Sequence, residues 1–195
     1  MPREFLAYPE CYLNKVFAEE FFMKLKKLGI VKQVKVIHKG SMNVDDVIRR
    51  IEELKREISK SSSTRGLSAF FPDVEEDENK ARRFTKAIDS LTRSLKKRCD
   101  AECVNKDVGN ILEIVACRCR ARDLLVIIVA FKGGIERALA KVGNIREGEL
   151  EKHRRRLKRV RSVKDVPEPF KSAFNELVDI ASTEVMNALK EISEP

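Results

Sequence analysis

No apolar stretch of this 195-residue chain approaches the roughly eighteen residues of a membrane-spanning helix; the longest, LLVIIVAF from Leu124 to Phe131, has eight. The amino-terminal MPREFLAYPE lacks the basic-then-apolar order of a secretory signal, so the expected location is the cytoplasm. Glutamine is almost missing, Gln33 being the only one, while charged residues make up 36% of the chain. Thermophile proteins lean the same way, towards Glu and Lys and away from thermolabile amides. A thermophilic source is therefore expected, and such organisms tolerate intracellular disulfides.

Cofactor signatures are missing as well. AFKGGIER passes through Gly133 and Gly134 into a helical pattern, a layout in which backbone amides can hold phosphate. It lacks the lysine and hydroxyl residue of a P-loop and the third glycine of a dinucleotide fingerprint. A tight turn is the plainer reading, and no cofactor is expected. The acidic DVEEDE reads as a helix start, where acids suit the dipole, rather than as a cation site. His38 reads as a packed strand residue.

Acids are also absent from Lys152 to Lys164, a thirteen-residue segment with eight bases: Lys152, Arg154, Arg155, Arg156, Lys158, Arg159, Arg161 and Lys164. The segment carries +8 of the chain's net charge of +9. A chain that gathers its whole excess in one place has built a seat for an anion. Five of the eight bases are arginine, which suits bidentate phosphate contact and stacking. A helix is predicted from about Gly148 to Val163, with Leu150, Leu157, Val160 and Val163 forming one narrow apolar stripe that docks while the rest faces outward. An interfacial membrane helix needs a richer apolar face, so no membrane contact is expected. The expected partner is nucleic acid, RNA ahead of DNA. An Arg-rich helix can follow RNA by shape, and no helix-turn-helix dimer, zinc finger or aromatic RNA-binding strand motif is visible. The chain could serve as an accessory subunit of a ribonucleoprotein, among other protein subunits. The alternative to nucleic acid is an acidic protein partner.

Within the same region Arg146 and His153 are separated by six residues in REGELEKH. This spacing resembles the Arg and His pair of the HEPN ribonucleases. The resemblance implies metal-independent RNA cleavage through the 2′-hydroxyl by paired, all-helical domains, with Arg146 and His153 as the catalytic residues. Without it, His153 is one more phosphate-facing donor and no catalytic residue is assigned. Cys99, Cys103, Cys117 and Cys119 form a Cys-x3-Cys and a Cys-x-Cys. Four thiolates could bind zinc tetrahedrally, but Cys-x-x-Cys knuckles are absent and no metal is expected. Buried thiols or disulfides are the preferred reading.

A composition that is 43% hydrophobic can fill a core. Helical periodicity is predicted over Glu10 to Leu28, and a strand over VKQVKVI. A helix capped by Ser41 or Asn43 follows. LSAFFPD reads as a short strand or a buried crossing, because Pro72 cannot hold a central ladder position. After a helix ending at Cys99, GNILEIVACRC and DLLVIIVAF read as a hairpin joined by RARD. The remainder is helical, interrupted near Gly143 and Asn144 and again at VPEPF. The expected class is α+β: a small, mostly antiparallel sheet with a central hairpin, helices packed on one side and a C-terminal helical pair. Residues 1–142 would form the core, and 143–195 a helical extension bearing the basic helix and packed on that core as a single domain.

Overall fold

Leu124–Lys132 is apolar at almost every position because helices cover both faces of this strand. The structure, a computed structural model, describes residues 5–31, 34–37, 43–60, 65–74 and 78–193. In chain order the elements are β1 (Phe5–Pro9), α1 (Tyr12–Lys27), β2 (Lys35–Val36), α2 (Val44–Lys60), β3 (Gly66–Phe71), β4 (Asp73–Val74) and α3 (Glu78–Cys99). They continue with β5 (Ala101–Val108), β6 (Leu112–Cys119), β7 (Leu124–Lys132), α4 (Ile135–Val142), α5 (Glu147–Leu157) and α6 (Glu168–Ser193).

The strands make one sheet in the order β2-β1-β3-β7-β6-β5, with β4 also paired to β7. Along β7, Ile127, Val129 and Phe131 enter a core shared with α1, α4, α5 and α6, while Val126, Ile128 and Ala130 enter a second core under α2 and α3. Strands buried on both faces read as continuous apolar runs, which is why alternation is lost here. The first core centres on Phe17 of α1, whose ring meets Phe131 edge-on at 4.9 Å and Phe174 of α6 at 6.2 Å. The basic segment's stripe also joins it: Leu150, Leu157 and Val160 are buried and Val163 packs beside them.

The α+β class and the hairpin hold: β6 and β7 pair antiparallel from Leu112↔Phe131 to Cys119↔Leu124, joined by Arg120 to Asp123. Two details of the expectation are corrected. The sheet is seven-stranded and mixed, since β2, β1, β3 and β7 run parallel, and helices cover both faces. Parallel pairing needs long crossovers rather than tight turns, so no local signal marks it. Pro72 does not bar LSAFF from the sheet interior. It splits one strand line into β3 and β4, and its carbonyl still accepts from Phe131 N at 2.9 Å. Only the bond that a proline cannot donate is lost. Asn43 caps α2 reciprocally, its Oδ1 accepting from Asp46 N and its own N donating to Asp46 Oδ2, each at 3.1 Å. Ser41 and His38 lie outside the described residues.

β5 is an edge strand that hydrophobic alternation does not reveal, because polar residues stand on both its faces, Glu102 and Lys106 on one and Asn105 and Asp107 on the other. It is bound to β6 covalently as well as by its ladder. Cys103 and Cys117 face each other in register with Cα atoms 4.1 Å apart, and Cys99 bridges to Cys119 across 5.5 Å. Both pairs are disulfides, closing sequence separations of 14 and 20 residues. Cys11 is the one free cysteine. Unfolding without reductant should therefore expose a single titratable thiol, and unfolding with reductant should release five. Replacing Cys103 and Cys117 with serine should lower stability by about 2–4 kcal/mol in denaturant titrations. A stability indifferent to reductant would contradict the pairing.

Candidate nucleic-acid interface

α5 gives the basic segment its first orientation. With 100° between successive residues, Leu150 and Leu157 point into the core. His153 and Arg154 flank that stripe and are half-buried, whereas Lys152, Arg155, Arg156, Lys158 and Arg159 fan outward and are exposed. Acids occupy the first half of the helix and bases its last turn, the arrangement a helix dipole favours. The segment is not as free of acids in space as in sequence. Lys152 Nζ binds Glu149 at 3.1 Å and Arg154 binds Glu151 at 2.6 Å. The hydrogen bond from Lys152, together with its charge, holds the Glu149 carboxyl below the ordinary range. Arg155, Arg156, Lys158, Arg159 and Lys164 have no acid partner among the described residues.

The expected helix to Val163 ends six residues early, at Leu157. Lys158 and Arg159 form a turn, and Val160 drops into the core. Like charges at i and i+4, Arg154 with Lys158 and Arg155 with Arg159, disfavour continued helix, and burying Val160 here does not require it. Asp165 then fastens the chain. Its Oδ2 accepts from Arg161 N, Ser162 N and the Ser162 hydroxyl at 3.1, 2.9 and 3.0 Å. The Ser162 hydroxyl first, then the Arg161 amide, lowers the Asp165 pKa. Arg161 lies over the ring of Tyr12, its Cζ 3.3 Å from the centroid. Tyr12 opens α1, so the basic turn sits beside the carboxyl end of β1.

That edge of the sheet holds a polar lattice. In sheets with parallel strands, ligands favour the crevice beyond the carboxyl ends where the strand order reverses, here between β1 and β3. Glu10 Oε2 accepts from Asp73 N at 2.7 Å, and buried Asn14 donates through Nδ2 to Phe71 O at 2.9 Å and Asp73 Oδ1 at 3.1 Å. Asp73 Oδ1 also takes Ile135 N at 3.0 Å, the first amide of α4. Gly133 and Gly134, with φ of +75° and +91°, supply only the turn. The helix start that could have cradled a phosphate therefore already holds the chain's own carboxylate. Burial first, and then Asp73 beside it, pushes the Cys11 thiol up, towards its protonated form. The lattice ties β1, β3 and α4 together.

The remaining sequence candidates fall differently. Arg146 is exposed and forms the N-cap of α5, while His153 turns inward, with Nε2 3.1 Å from Glu149 and its ring 5.8 Å from Phe170. His153 is thus not the outward phosphate donor of the plain reading, and a seven-stranded sheet is not the all-helical bundle that the HEPN resemblance implies. Cys99, Cys103, Cys117 and Cys119 are consumed in disulfides, and no cluster of metal-ligating side chains occurs among the described residues. In the acidic segment, residues 75–77 lie outside the described residues. Sequence reasoning missed Tyr12, Glu10, Asn14 and Asp73, which carry no motif and meet only through sheet topology. No family model, curated protein or solved structure matches the chain.

Asp73→Ala should leave the Ile135 amide and one Asn14 N–H without an acceptor. A destabilisation of about 1–3 kcal/mol per stranded donor is the expected scale in chemical denaturation, with Asp73→Asn, which keeps an oxygen, costing less. Unchanged stability in the alanine variant would show that the lattice does not hold this edge.

Proposed function

We propose that the protein binds nucleic acid, preferably structured RNA, through the outer surface of α5 and the turn that follows it. The observation that carries this reading is the outward fan of Arg155, Arg156, Lys158 and Arg159, exposed and without acid partners among the described residues. Mutually repelling charges on a docked helix are unfavourable in isolation, and a polyanion removes the repulsion. Leu150, Leu157 and Val160 anchor the segment to its own chain, which supports a preformed surface rather than a loose tail.

The charge order along α5 favours RNA shape over major-groove reading. A recognition helix of the helix-turn-helix kind presents its N-terminal residues to base edges. Here those positions include Glu147, Glu149 and Glu151, acids that phosphates would repel. The C-terminal end and the turn are the parts suited to a backbone. Interactions of this sort position the nucleic acid without reading its sequence, which fits an accessory role in a ribonucleoprotein.

The test is binding to labelled structured RNA and to duplex DNA over a series of salt concentrations. Wild-type affinity should fall steeply with salt and be higher for RNA. Replacing Arg155, Arg156 and Lys158 with alanine should flatten the log–log slope by about 0.7 to 0.9 for each phosphate that is no longer neutralised. If the triple variant binds like the parent, this surface is not the interface. Absence of binding at low salt would instead mark the surface as a dock for an acidic protein.

A further inference from the structure

Arg161 differs from Arg155, Arg156, Lys158 and Arg159 in that its charged end group is held. Val160 and Val166 are buried on either side of it. Asp165 fixes the backbone amides of Arg161 and Ser162. Arg161 Nη1 also donates to Val160 O at 3.3 Å, and Tyr12 closes one face of the group at 3.3 Å. The residue is nevertheless exposed, so the guanidinium is not enclosed on all sides. A guanidinium over an aromatic ring is held by the ring's electron-rich face, and its planar fork is well ordered before any ligand arrives. A phosphate interaction needs only a charge, which its freer neighbours Arg155, Arg156, Lys158 and Arg159 already supply. An immobilised plane that is not fully enclosed has the shape of a base-stacking platform, since unstacked bases settle on aromatic rings and on arginine planes.

We propose that the Arg161–Tyr12 pair receives one unpaired base, so that the recognised RNA feature is a bulged or looped-out nucleotide whose flanking backbone lies on Arg155, Arg156, Lys158 and Arg159. This deepens the phosphate-binding reading and rests on it. In a continuous duplex every base is already stacked on its neighbours, so only the phosphate-binding side chains would be used. A bulge supplies a base free to move onto the platform with little unstacking. Because the platform lies within a few residues of the phosphate-binding bases, one short stretch of RNA can meet both. Arg161 offers no edge-reading geometry beyond stacking, so the site is expected to accept any of the four bases.

The test uses the full chain and three hairpin RNAs with a common stem: one with a single-nucleotide bulge, one with that bulge made abasic, and one with the bulge deleted. The base-containing bulge should bind about tenfold more tightly than either control. A 2-aminopurine placed in the bulge should be quenched on binding. Arg161→Lys keeps the charge and removes the plane, and should abolish both the preference and the quench. Tyr12→Phe keeps the ring and should retain both. Equal binding of bulged and abasic RNA by the wild-type chain overturns the platform and leaves the phosphate surface standing. A preference that survives Arg161→Lys overturns it too, by placing the base elsewhere. Failure of all three RNAs to bind at low salt overturns the phosphate reading and the platform with it.

Discussion

The requirement that both faces of β7 be covered organises this molecule. A strand that buries Val126, Ile128 and Ala130 on one side and Ile127, Val129 and Phe131 on the other must lie inside a sheet with helices above and below. That requirement places α2 and α3 on one face and α1, α4, α5 and α6 on the other. It also consumes most of the apolar sequence in two cores. What remains for function is the outer surface of the helices and the rim where strands end. The charge excess has been placed there, on α5 and the turn after it in the larger layer.

The basic surface and the polar rim are separate structures that meet at one residue. Glu10, Asn14 and Asp73 bind one another and the start of α4, tethering the rim. Cys11 sits among them as a half-buried free thiol. Tyr12 follows immediately and turns its ring to Arg161. The tether thus orders the beginning of α1, and α1 in turn gives the basic turn a fixed support. A charge-rich segment supported in this way differs from a disordered basic tail, which must give up conformational freedom on binding.

Legibility followed the range of the interactions. The hairpin β6–β7 and the bodies of α1, α2, α3 and α6 were readable because their signals are local periodicity, turns and caps. The basic segment was readable because eight charges in thirteen positions need no partner to be noticed. Most of its bases are exposed, but Arg154 is half-buried and paired with Glu151, and the helix ends early at Leu157, since repulsion between turns and burial of Val160 are settled by packing. β1 is five residues ending in proline and β2 only two, too short to announce themselves. The pairing of Cys99 with Cys119, and of Cys103 with Cys117, depends on the register of an edge strand. The Tyr12–Arg161 contact joins opposite ends of the chain and has no sequence signature at all.

The two disulfides lie wholly on one side of the sheet, within α3's last residue, β5 and β6. The opposite margin, β2 on β1, is held among the described residues by two residue pairs of an ordinary ladder. The sheet is therefore mechanically lopsided: one border is welded and the other is merely laced. Strand separation under heat or force would begin at β2 and travel inward, while the welded border stays paired until the rest has come apart. The same asymmetry ties β5 to the β6 of its own chain, so that this edge strand is barred from exchange with the equivalent strand of another copy.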